Sequence, residues 1–581
     1  MKKKVNSFVN GALILSVAGI IVKILGAIFR IPLGNIIGTQ GMGLYQLAYP
    51  MYSFLLVISS SGFPVAISRL VAQAQNTGDY KLANRTFKLA RKLMFCLGLT
   101  AMIIMLALSG FISEQQGNPQ SRYALMAIAP AILFVTVMSA YRGYFQGMQN
   151  MVPTAVSQIL EQFIKLVAGL GFAAYFVRFG VEWGAAGAVA GVTLSELVAL
   201  IYVILLYNSR RSLIQKEIKS MTEPTAAISS ANIIKDVLLI AVPVAIGSAI
   251  MPLVSLIDQL IVINGLKEIV PLIADIPYGV EHFYQFAQDA GESVLPALTM
   301  EQISAQYPLL YEEFITGLAT SLYGIMSGYC SPITALPLIF STSIAISIVP
   351  AISKAHARRE GASVRSTTLT ALKLTSLIAF PCAVGIGVMA EPIIKVLYSA
   401  IDPWEVSIAV NCLRLMALTV LVLPLIHSAT AVLQGLGKQN LPVINLALGA
   451  FLLKKPLTYF LVKIPGLNVL GAAIGTISIY AFAALLDILC VKYFTRVRLK
   501  SLVTFGKPLV SSIAMGIVAL AVYMFFSSKI SSQLVPMGLG IVAGVVVYAV
   551  MVVITKMIAK DDLQFVPKSE WIISKFGRFL G

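Results

Sequence analysis

The sequence predicts an all-α polytopic membrane protein of about fourteen transmembrane helices. Three observations predict it. Of the 581 residues, 58% are hydrophobic and only 12% charged, with a mean hydropathy of +0.87. A soluble chain normally carries about twice that share of charge. Apolar stretches long enough to cross a bilayer recur from one end of the chain to the other. The connections between them alternate in charge. The net charge of +18 would suit a nucleic-acid partner if it were gathered in one domain. It is scattered between apolar segments, which argues against nucleic acid. The five cysteines, Cys96, Cys330, Cys382, Cys412 and Cys490, lie in or beside apolar segments. None forms a CxxC pair or a Cys/His set, so disulfides and a metal site are not expected.

The spans fall near 8–31, 44–68, 93–112, 123–146, 154–177, 184–207, 236–263, 322–351, 371–397, 408–434, 441–462, 469–491, 508–527 and 535–558. The first follows Lys2, Lys3 and Lys4 and so resembles a signal peptide. Its apolar run passes any plausible cleavage site and contains Lys23, so it reads as an uncleaved helix. Basic residues collect after the even spans. Lys81, Arg85, Lys88, Arg91 and Lys92 follow the second, and Arg210, Arg211, Lys216 and Lys219 the sixth. Lys354, Arg358, Arg359 and Arg365 follow the eighth, and Lys492, Arg496, Arg498 and Lys500 the twelfth. Lys560, Lys568, Lys575 and Arg578 close the chain. The positive-inside rule then puts both termini in the cytoplasm. The long connection 264–320 is the exception, with Glu268, Asp275, Glu281, Asp289, Glu292, Glu301, Glu312 and Glu313 against Lys267. It reads as a solvated outer loop with short amphipathic helices. Trp571, Ile572, Phe576, Phe579 and Leu580 share one face of an interfacial tail.

Two pairs of segments repeat. "PVAISRLVAQA" (64–74) parallels "SIAISIVPAIS" (343–353), and "YFQGMQNMVP" (144–153) parallels "VLQGLGKQNLP" (432–442). Six spans separate equivalent points. That spacing predicts two six-helix lobes related by a pseudo-twofold axis along the membrane normal, with two extra C-terminal helices. The expected division is 1–225, 226–500 (including the acidic loop) and 501–581.

"RGYFQG" (142–147), "MVPTAVSQILEQFIK" (151–165) and "KILGAIFRIPLGNIIG" (23–38) resemble the SpoVB/YtgP branch of MurJ-type lipid II flippases. That branch belongs to the multidrug/oligosaccharidyl-lipid/polysaccharide exporter superfamily. The resemblance runs over essentially the whole chain. It implies a flippase of the bacterial cytoplasmic membrane, not an enzyme, with no cofactor. The cargo would be a polyprenyl-diphosphate-linked oligosaccharide such as lipid II, moved from inner to outer leaflet by alternating access. Membrane lipids and cell-wall synthesis proteins would be its partners, in cell-wall growth or sporulation.

The charged residues inside the spans are the candidate site. Lys23 and Arg30 lie seven residues apart, about two helical turns or roughly 10.5 Å, on nearly one face. A charge at mid-membrane costs roughly 2.5–3.5 kcal/mol, so it normally meets water or a partner. One reading has Arg30 snorkelling and Lys23 paired with Glu161 or Glu196; the other has both lining a cavity that holds an anion. The resemblance assigns the basic pair of the first helix to the diphosphate. Its further arginines and acid fall here on Val57, Pro332 and Leu44, a departure from the family pattern. Arg142, Glu161 and Lys165 complete the expected substrate set, Glu161 and Lys165 being spaced for a local ion pair. Asp258, with Asn445 and Thr476, is the candidate ion site the resemblance suggests. An exporter of another polyprenyl-linked polysaccharide unit is the nearest alternative. A drug/cation antiporter is disfavoured, since the first helix offers cations that would repel its cargo. A glycosyl-transfer enzyme using the acids of 264–320 lacks a motif that fixes two of them.

Overall fold

The computed structural model describes residues 2–212, 215, 229–273, 276–295, 298–498 and 502–557. Among them every regular element is helical. Thirteen helices are long and apolar enough to cross a membrane. Lys216, Lys219, Asp275, Lys500 and the interfacial tail lie outside the described residues.

The first element, α1 (Lys2–Ser60), contains the first expected span and most of the second in one run, the end of the second falling in the next helix. The connection expected at 32–43 is helical instead, and the direction changes at Gly38, where φ is 67° and ψ is −175°. That conformation is open to glycine almost alone, so a single residue does the work of a loop. Then follow α2 (Phe63–Asn76), α3 (Tyr80–Gln115), α4 (Ser121–Gly147), α5 (Val152–Phe176), α6 (Val181–Ser209) and α7 (Ser230–Ile269). The Asp79 carboxylate accepts from Leu82 N at 2.7 Å and starts α3. Helices α5 and α6 meet through small residues. A Cβ on Gly191 would run into the Gly169 backbone, so the two helices touch main chain to main chain.

The acidic connection carries two short helices, α8 (Val280–Asp289) and α9 (Met300–Gln306). The eighth expected span is longer and more broken than the apolar run suggested. It is built from α10 (Pro308–Gly324), a π turn (Ile325–Cys330), α11 (Ser331–Ala335) and α12 (Leu338–Ala357). Pro332 and Pro337 each remove a backbone donor, which ends regular hydrogen bonding there. Next come α13 (Gly361–Val388), α14 (Ala390–Leu397), α15 (Pro403–Gly435), α16 (Asn440–Gly449), α17 (Lys455–Val462), α18 (Val469–Thr495), α19 (Lys507–Ser527) and α20 (Leu534–Ile554). Asp402 and Glu405 form a capping box around Pro403 at the start of α15.

Two compact units result. One holds Met1–Asn264 and Glu312–Gly324; the other holds Gly265–Tyr311 and Ile325–Gly581. In the first, α7 and α10 join the opening helices. Gln259 Nε2 donates to Leu47 O at 3.0 Å. Asn118 Nδ2 donates to Thr320 Oγ1 at 2.8 Å. The repeated segments build the same joint in each unit. Gly147 packs on Val71 in one, and a Cβ there would stand 2.8 Å from Val71 Cβ; Gly435 packs on Ile352 in the other, at 2.7 Å. Both helices end alike, with Asn150 N donating to Phe145 O at 2.9 Å and Lys438 N to Leu433 O at 2.8 Å. Residues Gln149 (φ 59°) and Gly437 (φ 73°) make the left-handed turn. The basic connections match as well. Gly78 (φ 77°) precedes Asp79 at −85°, 73°, and Arg359 (φ 57°) precedes Glu360 at −82°, 74°.

Candidate functional site

The interior of the first unit gathers charge from α1, α4, α5 and α6. The "RGYFQG" arginine is fixed at both ends of its fork. Arg142 Nε donates to Ser157 Oγ at 2.9 Å. Its Nη2 donates to Glu161 Oε2 at 3.2 Å. Both ionic side chains are mostly buried, at 14% and 18% exposure. Gln162 Nε2 donates to the other oxygen, Glu161 Oε1, at 3.2 Å. Glu161 is therefore the acid of Arg142, not of Lys165, and the local i,i+4 pairing is not the one the fold uses.

Lys165 turns instead to an aromatic wall. Its ammonium donates to Tyr49 Oη at 3.2 Å. It lies 5.1 Å from the Phe29 ring centre and 5.6 Å from that of Tyr49. A cation over ring faces is held without being neutralised. Tyr45, Tyr49 and Tyr52 stand on one side of α1, with ring centres 4.9 and 6.1 Å apart along the row. The hydroxyls of Tyr45 and Tyr49 are hydrogen-bonded at 2.7 Å. Arg30, half-buried and next to Phe29, acts electrostatically on both of these tyrosines. The structure thus brings Arg30, Arg142, Glu161 and Lys165 together around one aromatic row. Lys23 is exposed on the same helix, two turns earlier.

Two members escaped the reading of spans. The tyrosine row is visible as "YQLAYPMY", with spacings of four and three that put all three rings on one helical face. Glu196 entered only as a partner for Lys23. It is 5% exposed, faces Glu161, Arg142 and Lys165, and leaves Oε2 without a hydrogen-bond partner.

The candidate ion residues divide between the units. Asp258 is half-buried on α7 of the first. In the second, Asn445 Nδ2 donates to Asp487 Oδ1 at 2.8 Å. Thr476 Oγ1 donates to Ala472 O within its own helix at 3.0 Å. Asp487, fully buried, is a further intramembrane acid; its signal was a lone carboxylate in "AALLDILC". The second unit also carries an apolar groove of about 620 Å³ among α13, α19 and α20. Cys382, Met389, Met515, Ile541, Val545 and Tyr548 line it.

Comparison with known proteins follows this architecture. Residues 8–271 match the polysaccharide biosynthesis protein family, and residues 295–494 match the lipid II flippase MurJ family. Stage V sporulation protein B of Bacillus subtilis (strain 168) is 25% identical over 565 residues, which is 97% of this chain and 98% of that protein. Lipid II flippase MurJ of the same organism is 23% identical over 494 residues, 82% of each chain. Among solved structures, lipid II flippase MurJ in an inward closed conformation superposes with a TM-score of 0.65 at 14% identity. It covers 94% of this chain and 98% of that one. An inward-facing multidrug transporter of the MATE family gives 0.59 at 15% identity over 82% of this chain and 94% of its own. These likenesses show the fold, a multi-pass bundle of membrane-spanning helices.

Proposed function

We propose, from its likeness to the polysaccharide biosynthesis protein and lipid II flippase MurJ families, that the chain flips a polyprenyl-diphosphate-linked cell-wall glycan from the inner to the outer leaflet. The observation that carries the reading is the cationic cluster of the first unit. Arg30, Arg142 and Lys165 converge inside membrane-spanning helices, and of the three only Arg142 is bonded to Glu161. Cations in such a place need a partner, and a diphosphate supplies one. Lys23 extends the same positive track along α1. The tyrosine row offers flat apolar faces and hydroxyls for the sugar headgroup. The groove of α13, α19 and α20 has the apolar lining a polyprenyl tail requires.

Transport runs by alternating access of two lobes, with the cluster exposed to one leaflet at a time. The anion drives closure because it contacts the two states differently. A cationic drug is a poor cargo, since Glu161 is already committed to Arg142 and the cations of the cluster outnumber its acids. Lipid II and other polyprenyl-linked units share the diphosphate and compete as cargo.

The test is flipping of a fluorescent polyprenyl-diphosphate glycan in proteoliposomes at matched protein content. Arg30→Ala abolishes turnover. Arg30→Lys restores only part of it, because a point charge replaces a planar fork. Normal activity in the combined Lys23→Ala/Arg30→Ala variant would sink the anion site. Depleting the protein in cells and finding which lipid-linked precursor accumulates on the inner leaflet identifies the cargo.

A further inference from the structure

Glu196 is the one acid of this cluster that no cation holds directly in a hydrogen bond. It comes from α6 and is 5% exposed. Its Oε2 is buried with no hydrogen-bond partner. The groups that face it are Tyr49 and Tyr52 from α1, Arg142 from α4, and Glu161 and Lys165 from α5. Arg142 is spent on Ser157 and Glu161. Lys165 is spent on Tyr49 and the Phe29 ring. What stands against Glu196 is the Glu161 carboxyl, close enough for the two acids to share a hydrogen bond.

Two ionised carboxylates in contact repel strongly away from water. A carboxylate oxygen stripped of water and given no donor is costly in its own right. One proton between the two acids removes both penalties without moving a helix. We propose that Glu196 and Glu161 form a proton-binding site, an acid pair that shares one exchangeable proton next to the anion site.

The pair is wired to that site through Arg142. An anion that draws Arg142 or Lys165 towards itself removes positive charge from the acids and adds negative charge nearby. Both changes favour the proton. Near the pH at which the pair titrates, anion binding is therefore accompanied by proton uptake, a fraction of one per site, and anion release by its loss. This coupling, though not the acid pair itself, rests on the flippase reading above.

The experiment uses the full chain in lipid nanodiscs. Infrared difference spectra across a pH titration should show the carbonyl stretch of one protonated carboxylic acid, absent in Glu196→Gln and in Glu161→Gln. No such band in the wild-type protein, or an unchanged band in both variants, overturns the acid pair. Repeating the titration in sodium-free buffer should leave the band as it was; displacement of the band by sodium would make this a metal-cation site and overturn the proton. Titration calorimetry with inorganic diphosphate, run in buffers of different ionisation heat, reads the coupling. At the midpoint of the infrared titration wild-type protein should take up a measurable fraction of a proton per anion, and Glu196→Gln should bind the anion with none. Anion binding without proton uptake in the wild type overturns the coupling and leaves the anion site standing. Absence of anion binding removes the anion site, while the infrared band still reports on the acid pair.

Discussion

Arg142 sits between a hydroxyl and a carboxylate, and its geometry decides what a substitution does. Nε reaches Ser157 and Nη2 reaches Glu161 from one planar group. A lysine offers a single nitrogen and cannot hold both at once. Arg142→Ala leaves Glu161 with the Gln162 amide but no bonded cation, in a place from which water is largely excluded. Truncating one partner of such a pair is strongly destabilising, since the other charge stays buried. The melting midpoint in detergent should fall for Arg142→Ala, and adding Glu161→Gln should recover most of the loss. A double variant as unstable as the sum of its parts would show that the two side chains do not act as a pair. Tyr49 is a gentler case. Tyr49→Phe keeps the ring beneath Lys165 and removes the hydroxyl that accepts from it at 3.2 Å. About 1 kcal/mol is expected for one such hydrogen bond. Glycan flipping should fall less than in Lys165→Ala; equal losses would mean that the hydroxyl, not the ring, holds the ammonium.

At the scale of elements, the apolar runs told where helices lie but not how they are interrupted. Hydropathy averages over about nineteen residues, and a single backbone angle leaves no trace in such an average. Gly38 is the clearest instance. Glycine is common in membrane helices, and nothing in "GNIIGTQGMG" separates Gly38 from Gly34 or Gly41 before the backbone is seen. The breaks around Pro332 and Pro337 were legible as prolines, though the extension back to Pro308 was not, because its exposed acids resemble a loop. Gly38→Ala isolates the effect. A Cβ there meets nothing within 4 Å, and the same is true at Gly19 in the same helix. The two substitutions therefore differ only in backbone. Gly38→Ala should cost on the order of 1–3 kcal/mol from strain at its positive φ, whereas Gly19→Ala should be neutral or slightly stabilising. Equal melting midpoints would refute the bend at Gly38. The groove among α13, α19 and α20 gives a second test at this scale. Cys382→Trp fills it from α13, and turnover of a long-chain polyprenyl substrate should drop more than that of a short-chain analogue. The same drop for both would separate the groove from the tail.

For the whole molecule, the charge of the connections and the repeat were legible because each is a property of many residues at once. The repeat rested on two short segment pairs, and one member of each pair meets one member of the other to make the same joint twice: Gly147 against Val71, and Gly435 against Ile352. The partners of the intramembrane charges were not legible, because Glu161 meets Arg142 across nineteen residues of chain and no helical period connects them. Their sum has a consequence at the scale of the membrane. Arg30, Arg142 and Lys165 outweigh Glu161 and Glu196, so the empty site is positive and becomes neutral or negative with a diphosphate bound. A potential negative inside then favours the return of the empty site towards the cytoplasmic leaflet. The bias is worth at most about 2.3 kcal/mol per charge per 100 mV, when the charge crosses the whole field. Vesicles with an imposed inside-negative potassium potential should flip the glycan faster than vesicles in which the potential is collapsed. Removing one charge in Lys165→Gln should flatten that dependence even where residual turnover survives. Turnover that ignores the potential in the wild-type protein would mean that the cluster does not move through the field, and the resetting step would have to be driven by the proton or by the cargo gradient.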